Sequence, residues 1–363
     1  MVTTVLKCTS TTPFIGFTKS QSIRSTFNSS SKASKRSQQL NHHFSTTAIA
    51  FTQFKGTSGD VSMASDDASA HNNQDFTFDA IFGVKGKVAL ITGGGSGIGL
   101  MFTQALAVNG AKVYIVGRTE EKLETVAKTY SQGISGEIIP LVADVTDKAQ
   151  ISKLYEQISS KEQHLDILIN NAGIMSGNTV QTEGKDANEL KKNMFDSEKN
   201  SFSDWDDIYR TNVSACYFMS TAFLPLLEKA TEHGHGWSGT IVNTCSISGQ
   251  VKTMQHHPQY NASKAATIHL TRMLANELAQ NGIKIRVNSI APGVFPSEMT
   301  AGGESGANQK SSLPKDQFEN KVPAARPGTD KDMASAILFV VTNTYLNGQT
   351  ITVDGGYTLM SGK

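Results

Sequence analysis

From Lys87 onward, short runs of Val, Ile and Leu alternate with longer segments whose apolar residues recur at helical intervals. An apolar run with no polar alternation suits a strand buried on both faces, and strand alternating with helix is what a parallel sheet requires, because its strands are joined by helical crossovers. Seven strands are expected at 88–92, 112–116, 137–142, 167–170, 239–244, 284–290 and 349–353. Helices are expected at 97–109, 119–130, 146–160, 204–228, 258–281 and 330–343. The pattern predicts an α/β chain with one doubly wound parallel sheet, a single domain over 85–363 preceded by a linker at 63–84. Two segments break the regularity, the charged stretch 177–203 and the Gly/Ser-rich stretch 301–312, and both read as surface loops. The second follows a strand's carboxyl end, where open α/β sheets place their ligands, so it reads as a lid.

Composition changes this picture mainly at the amino terminus. Residues 1–59 hold seven Lys and Arg and no Asp or Glu, while the remainder holds 26 basic and 32 acidic residues, so a leader of +7 precedes a body of −6 in a chain of net charge +1. A Ser/Thr-rich, acid-free segment of scattered positive charge has the composition of an organellar transit peptide. Residues 1–62 are therefore expected to be a presequence, mitochondrial in the first instance and plastid in the second, and initiation at Met63 would give a cytosolic form. An acidic body repels phosphate backbones, so nucleic-acid binding gains no support. No stretch reaches the roughly 20 apolar residues that cross a bilayer. Cys8, Cys216 and Cys245 are too scattered for a disulfide framework or a zinc site, and the sequons at Asn212 and Asn261 read as chance matches.

The chemistry begins in the turn Thr92-Gly-Gly-Gly-Ser-Gly-Ile-Gly99, between the first strand and the first helix. Glycines there let backbone amides and a helix N-terminus approach a pyrophosphate. Gly93, Ser96, Gly97, Ile98 and Gly99 are the expected contacts. Further on, Tyr260 and Lys264 lie four residues apart and so share one helical face. A free phenol titrates at about pH 10. A neighbouring ammonium favours its ionised form, which makes the pair a plausible proton donor and acceptor.

With these strings the chain resembles the short-chain dehydrogenase/reductase family. The resemblance runs from about Lys85 to the C-terminus through TGGGSGIG at 92–99, ADV at 143–145, NNAG at 170–173, TNV at 211–213, TCSISG at 244–249, YNASK at 260–264 and PG at 292–293. It implies a Rossmann-type fold and an enzyme moving a hydride between a nicotinamide and a carbonyl or alcohol carbon. Tyr260 would then pass the proton, Lys264 tune it, Ser246 hold the substrate oxygen, and Asn212 distort its helix and position a water beside Lys264. Asp144 would bind the adenine amino group, Val145 and Asn171, Ala172 and Gly173 would line the cleft, and Pro292 and Gly293 would cover the nicotinamide. Ser297 stands where the family commonly has Thr, and the Ser246-to-Tyr260 spacing is one residue long, with His256-His257 as the extra material and Ser248 as a second candidate serine. The segment 292–299 is similar to members that reduce 3-oxoacyl thioesters of the rhamnolipid-synthesis type and to polyol and sugar dehydrogenases. The family also implies a homo-oligomer.

The second strand ends in Gly117-Arg118, with no carboxylate to bind a ribose 2′-hydroxyl. NADP(H) is therefore favoured and NAD(H) remains possible, since Arg suits phosphate oxygens. His233, His235, His256 and His257 lack carboxylate or Cys partners at ligand spacing, so no metal is expected. A nicotinamide-binding sensor without turnover is the alternative reading, opposed by the joint presence of Ser246, Tyr260 and Lys264.

Overall fold

The computed structural model describes residues 73–198, 200–233, 238–303 and 305–361. The expected presequence 1–62, the first part of the linker and His235 lie outside the described residues. Strands β1 (Val88–Thr92), β2 (Lys112–Gly117), β3 (Glu137–Val142), β4 (Ile167–Asn170), β5 (Thr240–Thr244), β6 (Arg286–Pro292) and β7 (Thr350–Val353) form one sheet in the order β3-β2-β1-β4-β5-β6-β7. Every pairing is parallel. All seven expected strands are present, with β6 displaced two residues toward the C-terminus of its expected span. Pro140 is tolerated because β3 is an edge strand.

Short helices α1 (Phe78–Phe82) and α11 (Tyr357–Met360) begin and end the described chain. Between them lie α2 (Gly97–Val108), α3 (Glu120–Tyr130), α4 (Lys148–Ser159), α5 (Ala187–Met194), α6 (Phe202–Tyr209), α7 (Ala215–Ala222), α8 (Leu224–His233), α9 (Pro258–Gln280) and α10 (Asp330–Thr342). Side chains alternate across a strand, and the core divides accordingly. Ala89, Ile91, Val113 and Ile115 pack with Leu106 of α2, Val126 of α3 and Ile337 of α10. Val88, Leu90, Tyr114 and Val116 pack on the opposite face with Leu154 of α4, Met219 of α7 and Leu278 of α9.

Two expectations require correction. The single helix expected over 204–228 is a chain of three, α6, α7 and α8, with a π-helical turn at Arg210–Ser214 between the first two. Helical periodicity does not reveal a wide turn, because the extra residue leaves each flanking segment amphipathic. The segment 177–203 is not wholly irregular either, since it contains α5, capped by the Asp186 carboxylate accepting from the amides of Asn188 and Glu189. With five charged or amide side chains among its eight residues and only Leu190 and Met194 as large apolar ones, α5 is too short and too polar to stand out.

Buried polar groups fix the sheet's amino-terminal edge. The Asp166 carboxylate accepts from the Val88 amide at 2.8 Å and pairs with Lys87 at 3.0 Å. At α10, Thr329 and Asp332 form a reciprocal cap, and Arg326 donates to both Asp332 oxygens at 2.7 and 3.1 Å. The Arg326 hydrogen bond, against an opposing burial effect and with help from Thr329, holds the Asp332 carboxyl well below the usual carboxylate range. A depressed folded-state value means stability that is present above the unfolded value and lost as pH falls. Asp332→Asn is expected to lower the melting temperature at pH 7 by about 2–4 °C, the size of a lost cap. The gap between parent and variant should begin to narrow below about pH 4, where an unfolded Asp protonates, and go on narrowing as the pH falls further toward the lowered folded value. A gap that does not narrow at all between about pH 7 and pH 2 would refute the capping account.

Candidate active site

All strands are parallel, so their carboxyl ends meet on one side, and the order reverses between β1 and β4. A crevice forms at such a switch point because the crossovers leave in opposite directions. Here it is a cleft of about 690 Å³ lined from the ends of β1, β2, β3, β4, β5 and β6.

The floor is built by one hydroxyl. Thr92 Oγ1 accepts from the amides of Asn171 at 2.9 Å and Ala172 at 3.0 Å, and Asn171 Nδ2 donates to the Gly93 carbonyl at 3.2 Å. This clips the segment after β4 to the glycine-rich turn. Gly99 does not line the cleft: a Cβ there would stand 2.0 Å from the Gly93 carbonyl oxygen, so its bare backbone lets α2 start directly beneath the turn. Gly97 has φ +51°, and a Cβ on it would meet the Ser297 Cβ at 2.8 Å. The turn is thus pressed between α2 and the segment after β6, with its backbone open to the cleft. The α2 N-cap, Ser96, makes no side-chain cap bond. Asn170, below the floor, donates to Ser220 Oγ and Asn243 Oδ1, each at 2.9 Å, which satisfies the buried amide nitrogen.

Ser246, Tyr260 and Lys264 all reach the cleft. Ser246 follows β5 and caps a 3-10 turn at Ile247–Gly249, where its Oγ accepts from the Ser248 amide at 3.1 Å. Ser248 itself is not in the lining, and its hydroxyl donates to Gln255 Oε1 at 2.8 Å. Tyr260 sits in the first turn of α9, which Pro258 opens. Lys264, one turn on, is only 4% exposed. Its ammonium donates to the Thr244 carbonyl at 2.9 Å and lies 5.6 Å from the Tyr260 ring centroid.

Asn212 is close by but behind the wall. It lies in the π-helical turn, where Oδ1 accepts from the Ile174 amide at 2.9 Å and Nδ2 donates to the Ile174 carbonyl at 2.9 Å and Ser263 Oγ at 3.1 Å. Its amide therefore ties the helix to the segment after β4. Asn212 and Asn261 are both buried, which rules out a glycan on either in the folded chain.

The remaining expected residues, Gly93, Ser96, Gly97, Ile98, Arg118, Asp144, Val145, Asn171, Ala172, Gly173, Pro292, Gly293 and Ser297, all line the cleft. One Asp144 oxygen accepts from the amide and hydroxyl of Thr146, at 2.9 and 2.7 Å. Arg118 is exposed at the end of β2. Sequence reasoning missed Lys122, Asp207, Arg210, Phe295 and Glu298, which also line it. Lys122 could have been found, because it stands in the first turn of the helix that follows Arg118, whereas Glu298 comes from a loop whose course has no periodic signal.

The one-residue extension before Tyr260 has a defined form. Gln255 and His256 both have positive φ, +51° and +60°, a conformation that lets an extra residue bulge outward. The bulge is held by the 177–203 segment, since the Val180 amide donates to the His256 carbonyl at 2.8 Å. Asp204 bridges Ser176 Oγ at 2.6 Å and Gln259 Nε2 at 2.7 Å. Burial, and after it the charge of His256, lower the His257 imidazole from its ordinary value. Burial pushes the Cys245 thiol in the cleft wall up to about 11, so it stays protonated and is a poor nucleophile.

The cleft suits a dinucleotide on three counts: its volume, the glycine-rich turn in its lining, and a carboxylate, Asp144, and a guanidinium, Arg118, that line it just after the ends of the neighbouring strands β3 and β2. Among the described residues there is no group of three or more His, Cys, Asp and Glu placed to hold a metal ion, and no helix is long and apolar enough to cross a membrane.

Comparison with known proteins agrees with this geometry. Residues 87–307 match the short chain dehydrogenase family. The short-chain dehydrogenase/reductase PhomF of Diaporthe leptostromiformis is 37% identical over 280 residues, covering 76% of this chain and 92% of that one. The 3-oxoacyl-[acyl-carrier-protein] reductase of Thermotoga maritima is 33% identical over 278 residues, covering 75% and 98%. The solved Pseudomonas aeruginosa RhlG/NADP active-site complex superposes with a TM-score of 0.63 at 29% identity, over 76% of this chain and 98% of that one.

Proposed function

The chain belongs to the short-chain dehydrogenase family and is a nicotinamide-dependent oxidoreductase of carbonyl and alcohol groups, and on that premise we propose that it is an NADP(H)-preferring reductase of 3-oxoacyl thioesters or related hydroxylated ketones. The observation that carries the proposal is the convergence of Ser246, Tyr260 and Lys264 on one wall of a cleft whose opposite wall is the glycine-rich turn. Glycine-turn amides and Ser96 would hold the pyrophosphate, Asp144 the adenine, and Arg118 a 2′-phosphate. When bound, the nicotinamide supplies the hydride.

The chain's own residues supply the proton and the positioning. Tyr260, at the cleft surface, gives its phenolic proton to the oxygen that becomes an alkoxide. The Lys264 ammonium, 5.6 Å from the ring, stabilises negative charge left on the phenol oxygen. The Thr244 carbonyl orients that ammonium from behind. Ser246 holds the same substrate oxygen through its hydroxyl, and Asn212 positions the segment from Gly173 to Ile174 that walls off the lysine. Support for the substrate class comes from the Thermotoga maritima reductase and from the similarity of 292–299 noted above. The RhlG/NADP complex and the absence of a carboxylate at Gly117-Arg118 support the cofactor.

The test is a panel of 3-oxoacyl thioesters, ketoses and simple ketones offered with NADPH and with NADH, followed by loss of reduced cofactor. NADPH-dependent turnover of an oxoacyl thioester at a higher kcat/KM than any ketose is the expected result. Turnover of ketoses alone, or NADH alone, would overturn the substrate or the cofactor assignment. Composition supports residues 1–62 as an organellar presequence, which the N-terminal sequence of the protein from isolated mitochondria would check. Exposed Tyr217 and Phe218 on α7 and Met273 on α9 support a homo-oligomer, which light scattering of the purified chain would check.

A further inference from the structure

The adenosine end of the cleft contains an ion pair that the catalytic reading does not use. Lys122 Nζ, in the first turns of α3, lies 2.6 Å from Glu298 Oε1 on the segment after β6. Ser305 Oγ donates to the same carboxylate oxygen at 2.7 Å. Lys122 and Glu298 both line the cleft, as does Arg118 four residues before Lys122. The pair therefore spans from one wall to the other at the corner where the second strand ends. That corner is where a 2′-phosphate or a bare ribose 2′-hydroxyl is told apart. Burial opposes ionisation of Glu298, but the hydrogen bonds from Lys122 and Ser305 and the lysine's charge outweigh it, so the carboxyl lies below its ordinary value and is anionic at neutral pH.

We propose that Lys122 is a second ligand for the 2′-phosphate beside Arg118, and that Glu298 is its built-in competitor, so that the pair sets the preference between phosphorylated and unphosphorylated dinucleotide. The inference rests on the cofactor reading above. Its physical basis is an exchange of anions. A phosphate dianion offers Lys122 more charge and three acceptor oxygens, and so displaces a carboxylate whose side chain is 27% exposed. A 2′-hydroxyl has no charge to offer and leaves the ion pair intact. NADPH binding then includes the cost of breaking the Lys122–Glu298 contact, whereas NADH binding does not. Glu298 moderates a preference that two cations alone would make steeper.

The experiment is a fluorescence titration of the full chain with NADPH and with NADH, in the parent and in Lys122→Met, Lys122→Arg and Glu298→Gln, with melting temperatures as a check on folding. Loss of one charge-assisted phosphate contact should weaken NADPH binding by Lys122→Met about tenfold. NADH should change less than about twofold in the same variant, and Lys122→Arg should restore NADPH binding. Glu298→Gln should tighten NADPH about threefold and leave NADH unchanged, on the same scale of free energy. An equal change for both cofactors would mean that the pair only clasps the cleft shut, and would overturn the proposal, as would no change in either. Failure of the parent to bind any nicotinamide dinucleotide would instead remove the cofactor reading beneath it.

Discussion

Tyr260→Phe is expected to bind NADPH as the parent does and to reduce its carbonyl substrate about 10²–10⁴-fold more slowly, the usual worth of a positioned general acid. The phenol lines the cleft and is half-buried in the first turn of α9, so losing one oxygen leaves the packing of the ring unchanged. The Lys264 ammonium keeps its hydrogen bond to the Thr244 carbonyl, so the wall behind the reaction does not collapse. The loss should therefore appear in kcat, with the cofactor dissociation constant within about twofold, because the missing interaction is made as charge develops on the substrate oxygen. Single-turnover rates and NADPH titration measure the two quantities separately. A variant that turns over at the parent's rate would end the assignment of Tyr260 as the proton donor, and would leave Ser246 as the group in the cleft to be tested next.

Arg286→Met is expected to cost about 3 kcal/mol or more of stability without touching the chemistry. Arg286 is 5% exposed, at the start of β6, and its guanidinium closes the C-terminal end of α10. It donates to the carbonyls of Val341 at 2.8 Å, Asn343 at 2.9 Å, Val340 at 3.3 Å and Leu346 at 3.4 Å, and to Ser238 Oγ at 2.9 Å. The last carbonyls of a helix have no partner within it, and here one side chain serves several of them while its charge complements the negative end of the helix. Burial lowers the guanidinium to about 10, so it remains charged at neutral pH. Methionine matches the volume but donates nothing, and the carbonyls stay desolvated. A fall in melting temperature of roughly 6–12 °C follows for a domain of this size, with kcat at low temperature within about twofold of the parent. A fall below about 2 °C would show that water takes over the carbonyls and that the cap is dispensable.

The strands were legible because a two-sided apolar run such as Val88–Thr92 has no other low-energy place than the middle of a covered sheet. The glycine-rich turn was legible for a related reason: Gly99 leaves no room for a Cβ, so its spacing from Gly93 is written into the chain. Tyr260 and Lys264 were legible as neighbours because four residues on a helix is a fixed vector. Ser248 is different. Sequence placed it as near the cleft as Ser246, and only the direction of the 3-10 turn sends its hydroxyl to Gln255. Asn212 was expected to distort its helix, and it lies in the π-helical turn, but only tertiary packing decided that its amide bonds to Ile174 behind the lining.

The linear chain thus determined the parallel α/β architecture, the glycine-rich turn and the tyrosine-lysine pair, because each depends on contacts within a few residues or on a burial pattern repeated along one element. Tertiary structure alone decided what meets across the cleft: Glu298 against Lys122, Val180 against His256, and the π-helical turn at Arg210–Ser214 against the segment after β4. Those partners are brought together by loops and crossovers, whose paths follow from packing and hydrogen-bond satisfaction at a distance and leave no period in the sequence to read.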